Sequence, residues 1–366
     1  MRSKFAGFLK NLLLSIISLI FFCALVEGFA RLAYGPPQPT AGGVIAKQEG
    51  DGHFLMPNLD TMHAGKRVTT NSLGLRDRRA PHKSDGKTQI IVLGDSFTFG
   101  FGVDMEDSYP FQLEELLNAG ARREFYEVIN AGVPGYDTVN ELRLLERIIP
   151  HYSPAWIIVG FHTGDLAEQH TPATQQHLLL SDDVRADQPR EPGSSKQKER
   201  RRVSALVKLA NKVQWSTLKL RDKSAFFSWL LKLYKTELIK YIPPPRKFTW
   251  KSEEFLDPSR FHATKTSFRR IKDIADEHGA EMIVFMIVPL VNWEAYPYRA
   301  LHAALAEFCA GNGIYFVDPL EEFAKHRAGD LWVAVNDGHY SPEANRIAAS
   351  VLCTSLLASN QKSGGQ

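Results

Sequence analysis

The chain has 366 residues, of which 44% are hydrophobic and 23% are charged, and its formal net charge at pH 7 is +3. This composition is typical of a globular protein with a large core, and the length fits one catalytic domain with additions. The net charge is too small to indicate a nucleic-acid partner, and none is expected. Three cysteines, Cys23, Cys309 and Cys353, form no disulfide framework, and no Cys/His cluster has zinc spacing. We therefore expect neither a metal nor a cofactor.

The N-terminal segment has the pattern of a membrane anchor. Basic residues precede an uncharged apolar run over Leu12–Val26, and a helix over Phe8–Ala33 is long enough to span a bilayer. Because more positive charge precedes the run than follows it, residues 1–35 are predicted to be a cytoplasmic N-terminus and transmembrane helix. The remainder is then extracytoplasmic, and periplasmic in a Gram-negative cell. A cleaved signal peptide is the alternative; Glu27 and Arg31, one helical turn apart, favour a continuing helix.

The boundaries of the following segments are set by proline, glycine and composition. Prolines and glycines in 36–43 end the helix, so we interpret residues 36–70 as a tether and lead-in. The catalytic domain is predicted to occupy 71–358, followed by a disordered tail over 359–366. At its start, the segment Asn71–Asp77 is equally compatible with a surface turn containing two buried leucines and with a role near the site.

The stretch Gln89–Val103 brings a buried strand directly to a serine. The β-branched run Ile90–Leu93, bounded by Gly94, predicts a parallel strand that is covered on both faces. The turn at the carboxyl end of such a strand is where α/β sheets bind ligands, so Ser96 is expected at the rim of a cleft. The alternative is that Asp95 or Ser96 only caps the next helix, which is the commoner role of an isolated Gly-Asp-Ser.

Helices and strands are predicted to alternate along the rest of the chain. The elements are a helix from Ser108, a strand over Phe125–Ile129, a helix from Val139 to Ile149, a strand over Trp156–Gly160, a helix from Pro258 to His278, a strand over Met282–Val288, a helix from Tyr298 to Ala310 and a strand over Gly313–Val317. This alternation predicts an α/β fold with a doubly wound parallel sheet. The turn Asn130–Gly135 and the loop Phe161–Asp165 follow the second and third strands, and are expected to converge with Ser96 on one cleft.

An insertion at about 170–257 interrupts this alternation. Its part Ser181–Arg202 is polar and charged, which predicts a flexible loop. By contrast, 205–242 combines apolar residues at helical spacing with lysines, which predicts one or two basic amphipathic helices. We expect these helices to pack on the catalytic domain as a lid or flank. Contact with an anionic membrane surface or with a partner protein is the alternative.

Near the C-terminus, Asp337 and His339 lie in a glycine-containing turn before a helix. Ser341 and Pro342 are typical of an N-cap and a first helical position, so the turn is well anchored. A carboxylate two residues from a histidine can orient the imidazole and stabilise the imidazolium formed when it accepts a serine proton. The pair therefore complements Ser96 chemically.

Three ordered motifs resemble the blocks of the SGNH/GDSL hydrolase family. They are GDSFTFG from Gly94, NAGVPGYDT from Asn130 and DGHYSP from Asp337. The resemblance covers roughly Asn71–Leu356 apart from the insertion. It implies a flavodoxin-like three-layer sandwich and a Ser-His-Asp site for ester hydrolysis or acyl transfer.

By position in those motifs, the resemblance assigns a role to each site residue. Ser96 would be the nucleophile, His339 the base and Asp337 the residue that orients it. The backbone N–H groups of Ser96 and Gly135 would donate hydrogen bonds to the oxyanion, because Gly135 matches the second glycine of the second block.

Two departures from the family pattern are visible. The third block normally ends in Asn-Asp, and the Asn amide is the third oxyanion donor; here Gly164 precedes Asp165. Many members also carry the acid three residues before the histidine, where this chain has Asn336. His162 or Thr163 could replace the missing amide donor by turning inward.

Together, the sequence predicts an extracytoplasmic serine esterase that acts on O-acyl esters of a cell-surface glycan or polysaccharide, with acetyl as the expected acyl group. An acylated carbohydrate is therefore the expected substrate. An O-acetyltransferase would use the same triad and is the first alternative. A non-catalytic glycan-binding or scaffolding member is the second, and the missing amide at Gly164 supports it.

Overall fold

The computed structural model describes residues 2–35, 46–49, 52–84, 86–119, 125–166, 223–238, 241, 258–335 and 337–363. The predicted flexible loop Ser181–Arg202 lies outside these residues, as does Asn336, which occupies the position of the acid in many family members. Of the segment 205–242, which was predicted to form basic helices, residues 223–238 and 241 are described.

The first helix, α1, spans Arg2–Tyr34. Within the described part of the chain, Leu13–Tyr34 is the one helical stretch that is long and apolar enough to cross a membrane. A signal sequence near an N-terminus has the same length and composition. The predicted membrane span is thus supported by length and composition, and the anchor remains a prediction.

Two short antiparallel hairpins follow the tether. They pair β1 (Ala46–Glu49) with β2 (Gly52–Leu55), and β3 (Asp60–His63) with β4 (Lys66–Thr69). Leu55 and Val68 are buried in the main hydrophobic core, so part of the predicted lead-in contributes to the folded domain. These strands are too short for a clear alternation of apolar and polar residues, which is why the sequence did not indicate them.

Five parallel strands form the central sheet: β5 (Thr88–Gly94), β6 (Tyr126–Gly132), β7 (Pro154–Phe161), β8 (Glu281–Met286) and β9 (Tyr315–Val317). Their spatial order is β6-β5-β7-β8-β9. Counted along the chain this is the order 2-1-3-4-5 of flavodoxin-like sheets, which confirms the predicted fold class. The strand β6 continues through Asn130 to Gly132, where the sequence predicted a turn because Asn and Gly are turn signals. Pairing with β5 holds these three residues in the sheet instead.

The helices in chain order are α2 (Ser96–Phe99), α3 (Tyr109–Asn118), α4 (Thr138–Ile148), α5 (Ala225–Leu233), α6 (Pro258–Glu277), α7 (Arg299–Ala310), α8 (Leu320–Phe323) and α9 (Pro342–Ser363). Helix α3 packs against α9, and α4 packs against α6, so that the sheet lies between helical layers. All side chains of Ile90–Leu93 in β5 are fully buried. A central parallel strand is covered on both faces, and this explains its unbroken apolar sequence.

Helix α9 ends later than the sequence predicts. It continues to Ser363, past the predicted start of a disordered tail at Ser359. The Ser359 hydroxyl still donates to the Ser355 carbonyl at 3.0 Å, one helical turn earlier. The polar composition that predicted a disordered tail is thus equally compatible with the last turn of a helix in contact with solvent.

Candidate active site

The loop after β5 presents Ser96 at the carboxyl edge of the sheet. Asp95 caps the short helix α2, because its Oδ1 accepts a hydrogen bond from the Phe97 backbone N–H at 2.9 Å. A Cβ added to Gly94 would overlap the Thr98 side chain, so the strand can turn this tightly only at a glycine. Asp95 thus has the capping role considered from the sequence, and this cap leaves the Ser96 hydroxyl available at the rim.

A hairpin of β10 (Trp332–Ala334) and β11 (Asp337–Tyr340) carries the candidate base. The buried Tyr340 hydroxyl accepts from the Val288 N–H at 2.7 Å and donates to the Val288 carbonyl at 3.1 Å. Ser341 follows as the predicted N-cap, with its Oγ accepting from the Ala344 N–H at 3.2 Å. His339 is therefore held between a strand tied to the sheet and the start of α9.

Ser96, His339 and Asp337 form a continuous hydrogen-bonded chain. Ser96 Oγ lies 2.7 Å from His339 Nε2, and His339 Nδ1 lies 2.6 Å from Asp337 Oδ1. The backbone N–H of His339 also donates to Asp337 Oδ1 at 3.0 Å. In the neutral imidazole this arrangement requires the proton on Nδ1, so Nε2 accepts from the serine hydroxyl. The chain thus has the geometry of an activated serine nucleophile.

Two phenylalanines fix the plane of the His339 ring. The ring centroids of Phe97 and Phe101 lie 4.7 and 4.8 Å from that of His339. Both phenylalanines belong to the serine loop, so the base is packed by the element that carries the nucleophile. Neither phenylalanine was predicted as a site residue; their position within the GDSFTFGF stretch was the available signal.

Arg76 supports the same loop from below. Its guanidinium, which is almost fully buried, donates to the carbonyls of Phe99, Gly100 and Val103. Burial lowers the Arg76 pKa to about 10, which still leaves the group charged at neutral pH. The segment Asn71–Asp77 therefore combines both interpretations offered from the sequence: it is a turn with a buried leucine, and it braces the site.

The loop that carries Gly135 lies against the serine loop. The Val133 N–H donates to the Gly94 carbonyl at 2.9 Å, and a Cβ on Gly132 would overlap the Phe99 backbone. Gly135 itself is exposed, with φ of +82° in the left-handed region. The hairpin β1–β2 buttresses this loop, since His53 Nε2 lies 3.0 Å from the Pro134 carbonyl.

His162 occupies the loop after β7, where the family pattern carries an amide. The Gly164 N–H donates to His162 Nδ1 at 3.1 Å, and Asp95 Oδ2 lies 3.6 Å from the same nitrogen. Burial lowers the pKa of the His162 imidazole, and the proximity of His339 lowers it further, while Asp95 opposes the shift. A neutral ring whose Nδ1 accepts a hydrogen bond carries its proton on Nε2, the nitrogen farther from the backbone. Gly164 therefore sets the tautomer of His162.

Buried carboxyl groups lie beneath the serine loop. Glu141 on α4 is fully buried, and neither of its carboxyl oxygens has a hydrogen-bond partner in the described structure. Burial, together with the charges of Asp95 and Asp137, raises the pKa of Glu141. Burial and the charge of Glu141 likewise raise the pKa of Asp165. Among the described residues, no group of three or more His, Cys, Asp or Glu side chains is arranged to hold a metal ion.

A pocket of about 400 Å³ opens beside the hydrogen-bonded chain. Phe97, His162, Asp337 and His339 line one side of it, and we call these residues the inner wall. Ser228, Leu231 and Lys235, from α5 and the π-helical turn that follows it, also line the pocket, and we call these residues the outer wall. Trp332 lines the pocket as well. The sequence predicted that helices in this part of the insertion pack on the catalytic domain as a lid or flank, and Ser228, Leu231 and Lys235 do line the pocket together with residues of that domain. The particular residues that meet there were not predicted, because no local pattern specifies a contact so distant along the chain.

A family model described as the GDSL-like Lipase/Acylhydrolase family matches residues 92–347. No curated protein sequence matches the chain. The solved structure of TesA has a TM-score of 0.41 and 12% identity, covering 74% of this chain and 98% of that chain. An acetylxylan esterase from Geobacillus stearothermophilus has a TM-score of 0.40 and 12% identity, with 74% of this chain and 94% of that chain covered.

Proposed function

Because the chain belongs to the GDSL-like lipase/acylhydrolase family and is a serine hydrolase of ester bonds, we propose that Ser96 is its nucleophile, His339 its general base and Asp337 the orienting carboxylate. The observation that carries this assignment is the chain of hydrogen bonds from Ser96 Oγ through His339 to Asp337, at 2.7 and 2.6 Å. It lies at the carboxyl edge of a flavodoxin-like sheet, between the first and third strands, where such folds bind their ligands.

In the proposed reaction, Ser96 Oγ attacks the acyl carbonyl while His339 Nε2 accepts the hydroxyl proton. Asp337 stabilises the imidazolium through the Nδ1–H bond. When the tetrahedral intermediate collapses, the imidazolium returns its proton to the alkoxide leaving group, and the alcohol departs from an acyl-Ser96. Water then attacks this ester with His339 as base, which releases the carboxylic acid and restores Ser96.

We assign the oxyanion to three donors. The backbone N–H groups of Ser96 and Gly135 are the first two, and the hydrogen bond from Val133 to Gly94 supports their proximity. His162 Nε2–H is the third, in place of the amide that the family pattern would supply at Gly164. This role is supported by the Gly164 N–H bond to Nδ1 and by the position of the His162 ring in the pocket wall.

We assign an O-acyl ester of a glycan or polysaccharide as the substrate, with acetyl as the acyl group. A pocket of about 400 Å³ is in the range of small-ligand sites and takes an acetyl group together with part of its alcohol. Polar Ser228 and Lys235 and the face of Trp332 suit a hydroxylated alcohol rather than a long alkyl chain. Transfer to a sugar hydroxyl would follow the same steps, with that hydroxyl in the place of water.

We further assign α1 as a retained, single-pass anchor with the catalytic domain outside the cytoplasm. The support is that side chains of Glu27, Arg31 and Tyr34 contact residues 223–229 of the folded domain, whereas a cleaved signal peptide has no such role. Basic residues before the apolar run support the orientation.

Assay of the purified full-length protein in detergent tests the reaction. We expect release of acetate from 4-nitrophenyl acetate and from an acetylated oligosaccharide, and none from the Ser96→Ala variant. Faster turnover with a free sugar acceptor, accompanied by acetylated acceptor, would identify a transferase. Absence of turnover with every ester in a folded protein would contradict the enzyme assignment and favour a glycan-binding member.

Fractionation of cells tests the anchor. We expect the protein in the membrane fraction, with release by detergent and retention in high salt, because apolar insertion is insensitive to ionic strength. Release by salt alone would mean that basic surface residues, rather than α1, hold the protein at the membrane.

A further inference from the structure

A glutamate near the end of α1 caps the helix that forms the outer wall. The Glu27 carboxylate accepts hydrogen bonds from Ser224 Oγ at 2.7 Å, from the Ala225 N–H at 2.9 Å and from the Phe226 N–H at 3.2 Å. The first backbone N–H groups of a helix have no partner within it, and a negative charge there is stabilising. Ser224 is the local N-cap of α5, since its Oγ accepts from the Phe227 N–H at 3.1 Å. Glu27, about 200 positions earlier in the membrane-anchor helix, extends this cap to the first two backbone N–H groups of α5.

Further contacts join the last turns of α1 to α5. Arg31 donates to the Lys223 carbonyl at 2.7 Å and is also paired with Glu27 at 2.7 Å. The rings of Tyr34 and Trp229 are stacked, with their centroids 5.8 Å apart. These contacts, which we call the latch, fix the orientation of α5 relative to the anchor.

The other end of α5 is attached to the catalytic domain. The Asn292 backbone N–H donates to the Lys235 carbonyl at 3.2 Å, and its side-chain amide donates to the Thr236 carbonyl at 3.0 Å. Lys232 Nζ lies 5.5 Å from the centroid of the Trp332 ring. A single short helix therefore connects the anchor to the rim of the pocket.

Helix α5 presents two different faces. Ser228 and Leu231, followed by Lys235 in the next turn, are spaced three and four residues apart and line the pocket. On the opposite side, Phe226 and Leu230 are four residues apart and are 38% and 40% exposed. These two side chains form a small apolar patch on the face away from the pocket, which is compatible with contact to an apolar surface.

The position of Glu27 along α1 identifies that surface. Residues 11–26 carry no charge and span about 24 Å at ~1.5 Å per residue, somewhat less than the ~30 Å of a bilayer core. Lys10 and Glu27 are the first charged residues on either side of this stretch. They place Glu27 near the outer boundary of the hydrocarbon, within the last half of the apolar helix Leu13–Tyr34. Because Glu27 caps α5, that helix begins at the same level as the lipid headgroups.

We propose that α5 is an interfacial helix whose Phe226 and Leu230 face lies on the bilayer, and that the latch thereby holds the active-site pocket at the membrane surface. The pocket is then separated from the lipid by about one helix diameter, ~10 Å. The substrate that fits this placement is an acyl ester on a membrane-anchored molecule, such as a lipid-linked glycan. This inference rests on the proposed esterase function and adds the carrier of the ester.

Depth measurement in vesicles tests the interfacial helix. In a Cys23→Ser background, Leu230→Cys and Leu357→Cys variants of the full-length protein are labelled with an NBD fluorophore and reconstituted in phosphatidylcholine and phosphatidylglycerol vesicles. Leu357 lies on α9 and is 44% exposed, a matched control. We expect headgroup spin-labelled lipid to quench the label at 230 at least threefold more than at 357. Equal quenching at both positions would overturn the proposal.

An activity comparison tests the membrane-borne substrate. Full-length protein in vesicles is given soluble 4-nitrophenyl acetate or an O-acetylated glycolipid inserted in the same vesicles. Glu27→Ala is expected to lower turnover of the glycolipid at least tenfold and to change turnover of the soluble ester less than twofold. Equal change with both esters overturns the membrane inference and leaves the proposed function intact. Absence of turnover by the unmodified protein with either ester overturns the proposed function itself.

Discussion

The two walls of the pocket are built in different ways. The inner wall stands on loops and a hairpin that are tied to the central sheet, and residues such as Gly94 and Tyr340 behind it are buried. The outer wall comes from one helix and the turn that follows it, which are bound to α1 at the start and to the loop after β8 at the end. From this difference we expect the fold to determine the reaction and the insertion to determine which esters reach the site. Substitutions in the inner wall should therefore lower kcat for every ester, and those in the outer wall should change KM for particular esters.

The largest expected effect is loss of the nucleophile or the base. Ser96→Ala and His339→Ala should each lower kcat by at least about 10⁴, because the two groups act as one unit. The double variant should be little worse than either single variant. Turnover of 4-nitrophenyl acetate measures this, with Thr354→Ala on the exposed face of α9 as a control for purification and folding. Multiplicative losses in the double variant would show that the two residues do not act together.

Replacement of the orienting carboxylate comes next. Asp337→Asn should lower kcat by roughly 10³–10⁴, because an amide can stabilise the wrong tautomer of His339 and cannot stabilise its imidazolium. The same assay measures the effect, and Asn336→Ala is the neighbouring comparison. A larger loss in Asn336→Ala than in Asp337→Asn would mean that the assignment of Asp337 as the orienting acid is wrong.

The third donor gives a smaller effect within the inner wall. His162→Ala should lower kcat by about 10²–10³, or roughly 3–4 kcal/mol, with little change in KM. His162→Asn should recover part of this loss, because an amide N–H can donate from the same loop. Steady-state kinetics with 4-nitrophenyl acetate separates kcat from KM. An unchanged kcat in His162→Ala would remove His162 from the oxyanion site.

Gly164→Asn, which introduces the residue of the family pattern, is a complementary test of the same loop. A Cβ at position 164 would lie 3.0 Å from His162 Nδ1. The added side chain would therefore shift the His162 ring, whose donor role the asparagine amide is meant to take over. We expect kcat in Gly164→Asn to stay within about tenfold of the unmodified protein, with one donor exchanged for another. A large gain in activity would mean that His162 contributes little to stabilising the oxyanion. The unmodified protein would then be a slow hydrolase because it lacks an amide donor in this loop.

Much of the inner wall could be predicted from the sequence because its signals are local. The strand before Ser96, the caps around Ser341 and the spacing of Asp337 and His339 all act within a few residues. The order of α/β elements then restricts the sheet to very few topologies. For these reasons the fold class follows from the sequence, and the structure brings Ser96, His339 and Asp337 together.

The features that the sequence did not predict depend on contacts between distant residues. The Arg76 guanidinium serves three carbonyls that follow it by more than twenty positions. The hydrogen bonds from the first turn of α5 to Glu27 cross about 200 positions. The donor role proposed for His162 depends on the hydrogen bond that its Nδ1 accepts from the Gly164 N–H. No periodicity or turn signal encodes such pairings, since each residue type is compatible with an ordinary surface position.

Substitutions in the outer wall should change KM rather than kcat. Leu231→Ala removes apolar surface from the pocket and should raise KM by about tenfold, roughly 1.4 kcal/mol, for esters that fill the pocket, with little change in kcat. Initial rates with acetyl and butyryl esters of the same alcohol measure this difference, and Leu116→Ala on the exposed face of α3 is the control. A fall in kcat equal for both esters would show that the outer wall positions the reacting groups, and the contrast between the walls would fail.

The smallest effect concerns the stability cost of Glu141, a buried carboxyl group beneath the serine loop. Burial and the charges of Asp95 and Asp137 raise the pKa of Glu141 in the folded protein. The unfolded chain releases this proton above about pH 4.5, while the folded protein retains it, so stability falls as the pH rises from there through the folded pKa. Glu141→Gln removes this dependence and should stabilise the fold by about 1 kcal/mol at pH 7.5, with no gain at pH 4. Thermal unfolding in detergent at both pH values measures the difference, and Glu281→Gln, an exposed strand residue, is the control. A loss of stability in Glu141→Gln at pH 7.5 would mean that neighbouring groups compensate a charged Glu141. The buried carboxylates would then stabilise the serine loop.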